Sequence, residues 1–380
     1  VSTLNLVVDR NITGAEHLLA DLGSLTLVDG RSLSREQLRS ADVLLVRSVT
    51  RVDAALLDGT PVRFVGTATS GYEHIDRDWL ARAGIGFSHA PGSNANAVVE
   101  YVLAALAHCE GHLDGLFAGG RVGIIGYGII GRALGRRLEA LGIDHCAFDP
   151  WLRERDCASL APLETILGCP VISLHAALTD AQPWPSRHVL GASALRQIPP
   201  SSLLINAGRG ELIDNTVLLQ RLATGVAPTT VLDVWEHEPT PDQALLGHCA
   251  LATPHIAGYS ADGKWRGTVA LRTALRRWLQ LADEARETPT GRDAAVWSLP
   301  ASNEPSVVLR SLIGRAYDVA ADDTALRAAM TPVPAAARGA AFDRLRREYP
   351  TRWELAGRVV TGGSLTARTV AAALECQLAD

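Results

Sequence analysis

The feature that most restricts this chain is Gly126-x-Gly128-x-x-Gly131, set between an apolar run at 122–125 and a helical pattern at 132–141. Three glycines at that spacing are common. A strand before them and a helix after them mark the phosphate-binding turn of a parallel βαβ unit. In such a turn Gly126 permits the sharp bend, Gly128 lets a pyrophosphate reach the backbone, and Gly131 lets the helix lie close on the strand. The amides near Ile129 and Ile130 then face the anion at the positive end of the helix. Asp149 follows Gly131 by eighteen residues, at the end of the next strand, where an acid accepts hydrogen bonds from an adenosine ribose. Its charge repels a 2′-phosphate, so NAD is expected rather than NADP, with Arg153 and Arg155 as nearby opposing charges.

One such unit does not fill 380 residues, and two or three domains are expected. Apolar runs at 122–125, 143–148, 171–174, 203–205, 231–234 and 251–252 alternate with helical patterns at 132–141, 163–167, 192–197 and 216–223. That is enough for a complete Rossmann domain. Upstream, runs at 4–8, 43–46, 64–65 and 85–88 alternate with helical stretches at 15–22, 35–40 and 78–83. They predict a second doubly wound, flavodoxin-like sheet. Val98, Val99, Val102, Leu103 and Leu106 give a longer helix over 94–108 that bridges the two domains. Residues 111–120 read as a polar, Gly-rich loop, and 261–282 as an amphipathic helix returning to the first domain. The polar, Pro-containing stretch 284–305 marks a boundary. Beyond it, strands at 307–309 and 359–360 and helices at 342–348 and 365–378 predict a small α+β module for assembly. The expected organisation is α/β: a substrate domain of 1–93 with 259–283, an NAD-binding domain of 94–258, and a C-terminal domain of 284–380.

The net charge of −5 supplies no basic surface for nucleic acid. No apolar run approaches the roughly 20 residues of a membrane span, and no basic-then-apolar leader opens the chain. The simplest expectation is a cytoplasmic protein. The six cysteines stand singly, without zinc-ligand spacing, and no metal is expected.

Downstream of the glycine turn come Asn206-Ala207-Gly208-Arg209-Gly210, Glu236-His237-Glu238-Pro239 and Thr253-Pro254-His255-Ile256-Ala257-Gly258, each at or just beyond the carboxyl end of an expected strand. Ligands bind at that edge of doubly wound sheets. Oxidation of a 2-hydroxy acid needs a base for the hydroxyl proton, a cation for the carboxylate and a partner that orients the base. His255 suits the base because imidazole titrates near neutrality. Glu238 suits the partner because a nearby carboxylate stabilises imidazolium. Arg209 suits the clamp because guanidinium pairs with carboxylate through a two-pronged fork.

With these residues in place, the chain resembles the D-isomer-specific 2-hydroxyacid dehydrogenases over essentially its whole length. The resemblance is carried by Val46-Arg47-Ser48-Val49-Thr50, Phe64-Val65-Gly66-Thr67-Ala68-Thr69-Ser70-Gly71, Gly84-Ile85-Gly86-Phe87-Ser88, Ala97-Val98-Val99-Glu100-Tyr101-Val102, Leu232-Asp233-Val234-Trp235-Glu236 and His255-Ile256-Ala257-Gly258-Tyr259-Ser260. It implies NAD-dependent oxidation of 4-phospho-D-erythronate to 2-oxo-3-hydroxy-4-phosphobutanoate, a step towards pyridoxal 5′-phosphate. It implies catalysis by Arg209, Glu238 and His255, with His255 the proton donor in the reductive direction. It places Ser48, Thr69 and Tyr259 on the substrate, and Asp149, Ala176, Ala207, Gly208, Asp233 and Gly258 on the cofactor. Phe342-Asp343-Arg344-Leu345-Arg346 falls in what the resemblance makes a dimerisation module, so a homodimer is implied. The family's usual His-Thr-Pro-Leu is here His175-Ala176-Ala177-Leu178, so Ala176 has no hydroxyl for the cofactor. A substrate phosphate also needs cations, and Arg47 and Arg51, with Ser48 and Thr50 between, are expected to hold it. Two rivals stand beside this reading: the same chemistry on another acid such as 3-phosphoglycerate, and an NAD-sensing binding protein on the same scaffold. A formate dehydrogenase fits less well.

Overall fold

The structure, a computed structural model, describes residues 4–153, 155, 157–282, 289, 291–331 and 333–379. The domain boundary expected at 283–284 lies outside the described residues. Backbone contacts group the chain into two units, Val1–Asn94 with Tyr259–Arg292, and Ala95–Gly258 with Asp293–Asp380.

In the first unit β1 (Leu4–Asp9), β2 (Gly23–Val28), β3 (Val43–Val46), β4 (Phe64–Thr67) and β5 (Gly86–His89) form a parallel sheet in the order β2-β1-β3-β4-β5. This is the flavodoxin-like order, with its switch point between β1 and β3. Strands β3 and β4 are buried at every position, which is why they stand out as apolar runs. Edge strand β2 was not among the expected strands, because Ser24 and Thr26 interrupt its apolar pattern and only Val28 is fully buried. One face of the sheet packs Leu6, Val8 and Phe64 against Trp265, Leu271 and Leu275 of the helix Ala261–Trp278. The other face gathers Val7, Leu44, Val46, Val65 and Leu80.

The second unit holds β6 (Arg121–Ile125), β7 (Asp144–Phe148), β8 (Val171–Leu174), β9 (Leu203–Asn206), β10 (Thr229–Leu232) and β11 (Leu251–Ala252), all parallel, in the order β11-β10-β9-β8-β6-β7. A lone parallel bridge from Ala147 to Leu160 extends the sheet past β7 and completes the strand order of a dinucleotide-binding sheet. A three-stranded parallel sheet follows, β12 (Trp297–Ser298), β13 (Val359–Thr361) and β14 (Gln377–Leu378).

Three local expectations are corrected. Residues 111–120 contain the helix His112–Phe117, anchored by buried Leu113 and Leu116. The run 307–309 lies inside the helix Pro305–Ala316, where Pro305 suits the first turn and Val308, Leu309, Leu312 and Ile313 are buried at helical spacing. The stretch 365–378 is the helix Leu365–Ala373 followed by β14, with Glu375 in a left-handed conformation between them (φ 59°). The C-terminal residues also fill part of the larger core: Leu326, Met330, Ala341 and Phe342 pack in one cluster with Leu232, Trp235 and Leu245. Among the described residues no helix is long and apolar enough to cross a membrane.

Burial makes acid stability predictable. His175, just past β8, is buried with Nε2 on the Ser173 hydroxyl (2.8 Å), and burial pushes its pKa down to about 4 from 6.5. Burial lowers His74 to about 4 in the same way. Between those two values the unfolded chain binds protons that the folded chain refuses, so stability falls as pH drops through this window. His175→Gln should reduce the slope of stability against pH between 4 and 6.5 by about one proton. Urea midpoints across that range measure it, and an unchanged slope contradicts a buried neutral His175.

Candidate active site

At the end of β6, Gly126 adopts φ 89°, and a side chain there would overlap the Ala176 backbone. The glycine turn and the end of β8 are therefore in direct contact, and Gly131 lies against the Gly126 carbonyl on the other side. At Gly128 an added Cβ would meet nothing within 4 Å, so the backbone is open to a ligand. The helix Ile129–Ala140 starts there without a side-chain cap, which leaves its first amides for an anion. Asp149 accepts from the amides of Tyr127 (2.9 Å) and Trp151 (3.1 Å). A carboxylate has about four acceptor positions, so about half remain for a ribose. Ala207 is buried, and Gly208 lies close to the Leu174 and Ala176 carbonyls. These residues share the carboxyl edge of one sheet and fit a dinucleotide; Ala176 contributes backbone alone.

The three catalytic candidates leave the same edge. Asn206 ends β9, and its side chain donates to the Arg209 carbonyl (2.9 Å) and accepts from the Gly208 amide (3.1 Å). That short turn presents Arg209 half-buried, with Nη1 donating to the Gly208 carbonyl (2.8 Å). Gly210 lies so close to the Trp235–Glu236 backbone that no side chain fits. After β10, the Trp235 amide donates to Glu238 Oε1 (3.0 Å), and the Trp235 indole donates to the Thr253 carbonyl (3.0 Å). Asp233 is buried and accepts from the Thr253 hydroxyl (2.6 Å) and the amides of Ile256 (2.8 Å) and Ala257 (2.9 Å). Its carbonyl accepts from the His255 amide (2.7 Å). His255 adopts φ 57°, a left-handed conformation uncommon outside glycine, and sits inside that set of bonds. Its Nδ1 is 2.7 Å from Glu238 Oε2. Gly258 follows, half-buried.

Burial pushes the Glu238 carboxyl up, but the His255 charge and hydrogen bond, the Trp235 amide and the Arg346 charge outweigh it and hold the group below its ordinary value. Ionised Glu238 only accepts, so His255 Nδ1 is the donor of this bond, and in the neutral imidazole Nε2 is the nitrogen left with a lone pair. The His255 side chain is 34% exposed. Burial raises Asp233, against the opposing pull of His255, the Thr253 hydroxyl and the two amides.

The remaining candidates belong to the first unit. Arg47 and Ser48 follow β3; Arg47 is half-buried and, among the described residues, its side chain has no ion pair or hydrogen bond. Arg51 is exposed and paired with Asp53 (2.8 Å). Thr50 is buried, with its hydroxyl on the Gly30 carbonyl (2.8 Å), so it is not a free donor. Thr69, after β4, donates to the Gly71 carbonyl (2.7 Å) and is 2.7 Å from the Thr67 hydroxyl. The Lys264 ammonium lies 4.9 Å over the Tyr259 ring.

Two supporting residues were not read from the sequence. Tyr101 bonds the Thr253 hydroxyl at 2.8 Å across 152 positions, a separation that leaves no local signal. Asn206 did have one, since Asn two residues before Gly favours a side-chain-bonded turn.

Residues 109–257 match the family described as D-isomer specific 2-hydroxyacid dehydrogenase, NAD binding domain, and residues 297–374 match a domain of unknown function. The erythronate-4-phosphate dehydrogenase of Cellvibrio japonicus is 43% identical over 355 residues, covering 92% of this chain and 93% of that one. Its counterpart in Marinobacter nauticus is 44% identical over 357 residues, covering 92% of each. The D-lactate dehydrogenase structure from Aquifex aeolicus, complexed with NAD and lactic acid, matches 73% of this chain and 95% of its own, with a TM-score of 0.59 at 21% identity. The glyoxylate/hydroxypyruvate reductase from Sinorhizobium meliloti, in complex with NADP and malonate, matches 73% and 94%, with a TM-score of 0.61 at 22% identity. Those two structures support the fold.

Thr253→Val keeps the volume and removes one donor to buried Asp233, which should destabilise the protein by about 1–3 kcal/mol. Urea unfolding measures the loss, and an unchanged midpoint denies Asp233 its place as the anchor of this loop.

Proposed function

We infer, for a chain that belongs to the erythronate-4-phosphate dehydrogenases among the D-isomer-specific 2-hydroxyacid dehydrogenases, that it oxidises 4-phospho-D-erythronate to 2-oxo-3-hydroxy-4-phosphobutanoate in the formation of pyridoxal 5′-phosphate. NAD, when bound, accepts the hydride from C2. The turn Gly126, Gly128, Ile129, Ile130 and Gly131 would hold its pyrophosphate, and Asp149 its adenosine ribose. Ala176, Ala207, Gly208, Asp233 and Gly258 would line its other end. Asp233 Oδ2 carries one bond, from Ala257, and has room for an amide donor.

The observation that carries the mechanism is the 2.7 Å pair of His255 and Glu238 at the sheet edge that also bears the glycine turn. His255 Nε2 takes the proton of the 2-hydroxyl, and Glu238 stabilises the imidazolium that forms. Arg209 holds the substrate carboxylate and fixes the orientation of C2. In the reverse direction His255 returns the proton. In the first unit, Ser48, Thr69 and Tyr259 are assigned to the substrate. Arg47, half-buried and with no side-chain ion pair or hydrogen bond among the described residues, is better suited to the phosphate than Arg51, whose charge is shared with Asp53. A homodimer built through the C-terminal residues belongs to the same reading, supported by exposed Leu365 and Val307 in that region.

NADH formation, followed with 4-phospho-D-erythronate, D-erythronate and 3-phosphoglycerate, tests this reading. The first should turn over with the highest kcat/KM. Arg47→Ala should lower that value about tenfold or more, as for loss of a charge-assisted contact, and affect D-erythronate far less. Preference for 3-phosphoglycerate, or no turnover of any 2-hydroxy acid, rejects the assignment. Equal losses on both erythronates reject the role of Arg47.

A further inference from the structure

The C-terminal residues reach the turn that carries His255. Arg352 is buried, and its Nη2 donates to the carbonyl of Ala257 (3.2 Å), two residues past His255. Its Nη1 pairs with Glu100 Oε2 (3.3 Å), and its guanidinium carbon lies 4.1 Å over the Tyr317 ring. Glu100, buried in the helix Ala95–His108, accepts the Leu355 amide on its other oxygen (2.6 Å). Asp233 holds the amides of Ile256 and Ala257, while Arg352 holds the carbonyl of Ala257. The turn after His255 is thus fixed by an anion on its donors and a cation on its acceptor.

A buried ion pair is a poor device for stability alone, since desolvation offsets most of its attraction and apolar side chains of similar volume do as well. Directional bonds to one carbonyl are what a guanidinium adds. The strained φ of His255 requires such support, because residues in sparsely populated conformations persist only where their surroundings over-determine them.

We propose that Arg352 is a positioning residue for proton transfer: through the Ala257 carbonyl, with Glu100 as the partner that holds its other nitrogen, the C-terminal module of the same chain sets the orientation of His255. The proposal rests on His255 being the base. It makes residues 297–374, whose family has no assigned function, part of the active-site scaffold.

Arg352→Lys and His255→Gln, alone and combined, form the test. Arg352→Lys should lower kcat on the order of tenfold, with NAD affinity nearly unchanged, and should lower the unfolding midpoint because a buried carbonyl loses its donor. In the His255→Gln background the same change should cost nothing further. Amide hydrogen exchange of the peptide spanning 253–258 should rise in Arg352→Lys, a readout that stands even if the assigned substrate is wrong. An equal loss in both backgrounds, or exchange no faster at 253–258 than elsewhere, overturns the proposal. Should Arg352→Lys not fold, Glu100→Gln, which keeps the volume and replaces the oxygen that holds Arg352 or the one that holds the Leu355 amide by a donor, carries the same outcomes.

Discussion

Asp233 joins the ends of two strands with one buried carboxylate. Taking that charge from water costs several kcal/mol unless donors replace the lost hydration, and here a hydroxyl and two amides do so. All three donors come from 253–257, the segment that presents His255. Without the carboxylate those amides would be buried and unpaired, and the left-handed backbone of His255 would be left to its own amide bond and to Arg352. The arrangement depends on β10 and β11 being adjacent and parallel, because only then do their carboxyl ends lie at one edge.

The same edge explains how the chemistry is assembled. Parallel strands deliver every βα turn to one side, so the glycine turn after β6, Arg209 after β9, Glu238 after β10 and His255 after β11 need no long loops. Close backbone packing then sets spacing: Gly126 against Ala176, and Gly210 against Trp235 and Glu236. Once burial of Glu238 is outweighed by its partners, the ionised carboxylate accepts from His255 Nδ1, so Nε2 is the nitrogen turned away from the pair.

Legibility in the sequence followed burial and locality. Strands β3, β4, β8 and β9 are buried throughout and read as mainly apolar runs, whereas edge strand β2 alternates between half-buried and exposed positions and gives no such run. Val307 and Val308 suggested a strand because β-branched residues favour sheets, but Leu309, Leu312 and Ile313 pack at helical spacing and decide the matter. Arg209, Glu238 and His255 were legible because each follows its own strand within a few residues. Their supports were not: Tyr101 meets Thr253 across 152 positions, and Arg352 meets Ala257 across 95. Thr50 and Arg51 looked available in the sequence and are engaged in the structure, by Gly30 and Asp53.

The proposed mechanism rests on His255 acting as a base oriented and stabilised by Glu238. The pH profile of kcat for the wild-type enzyme and for Glu238→Gln tests this directly. Oxidation requires neutral His255, so kcat falls on the acid side. Glutamine removes the charge that stabilises the imidazolium, so the acid limb should move to lower pH while kcat on its plateau declines. An acid limb in the same place in both enzymes contradicts the pairing on which the mechanism rests.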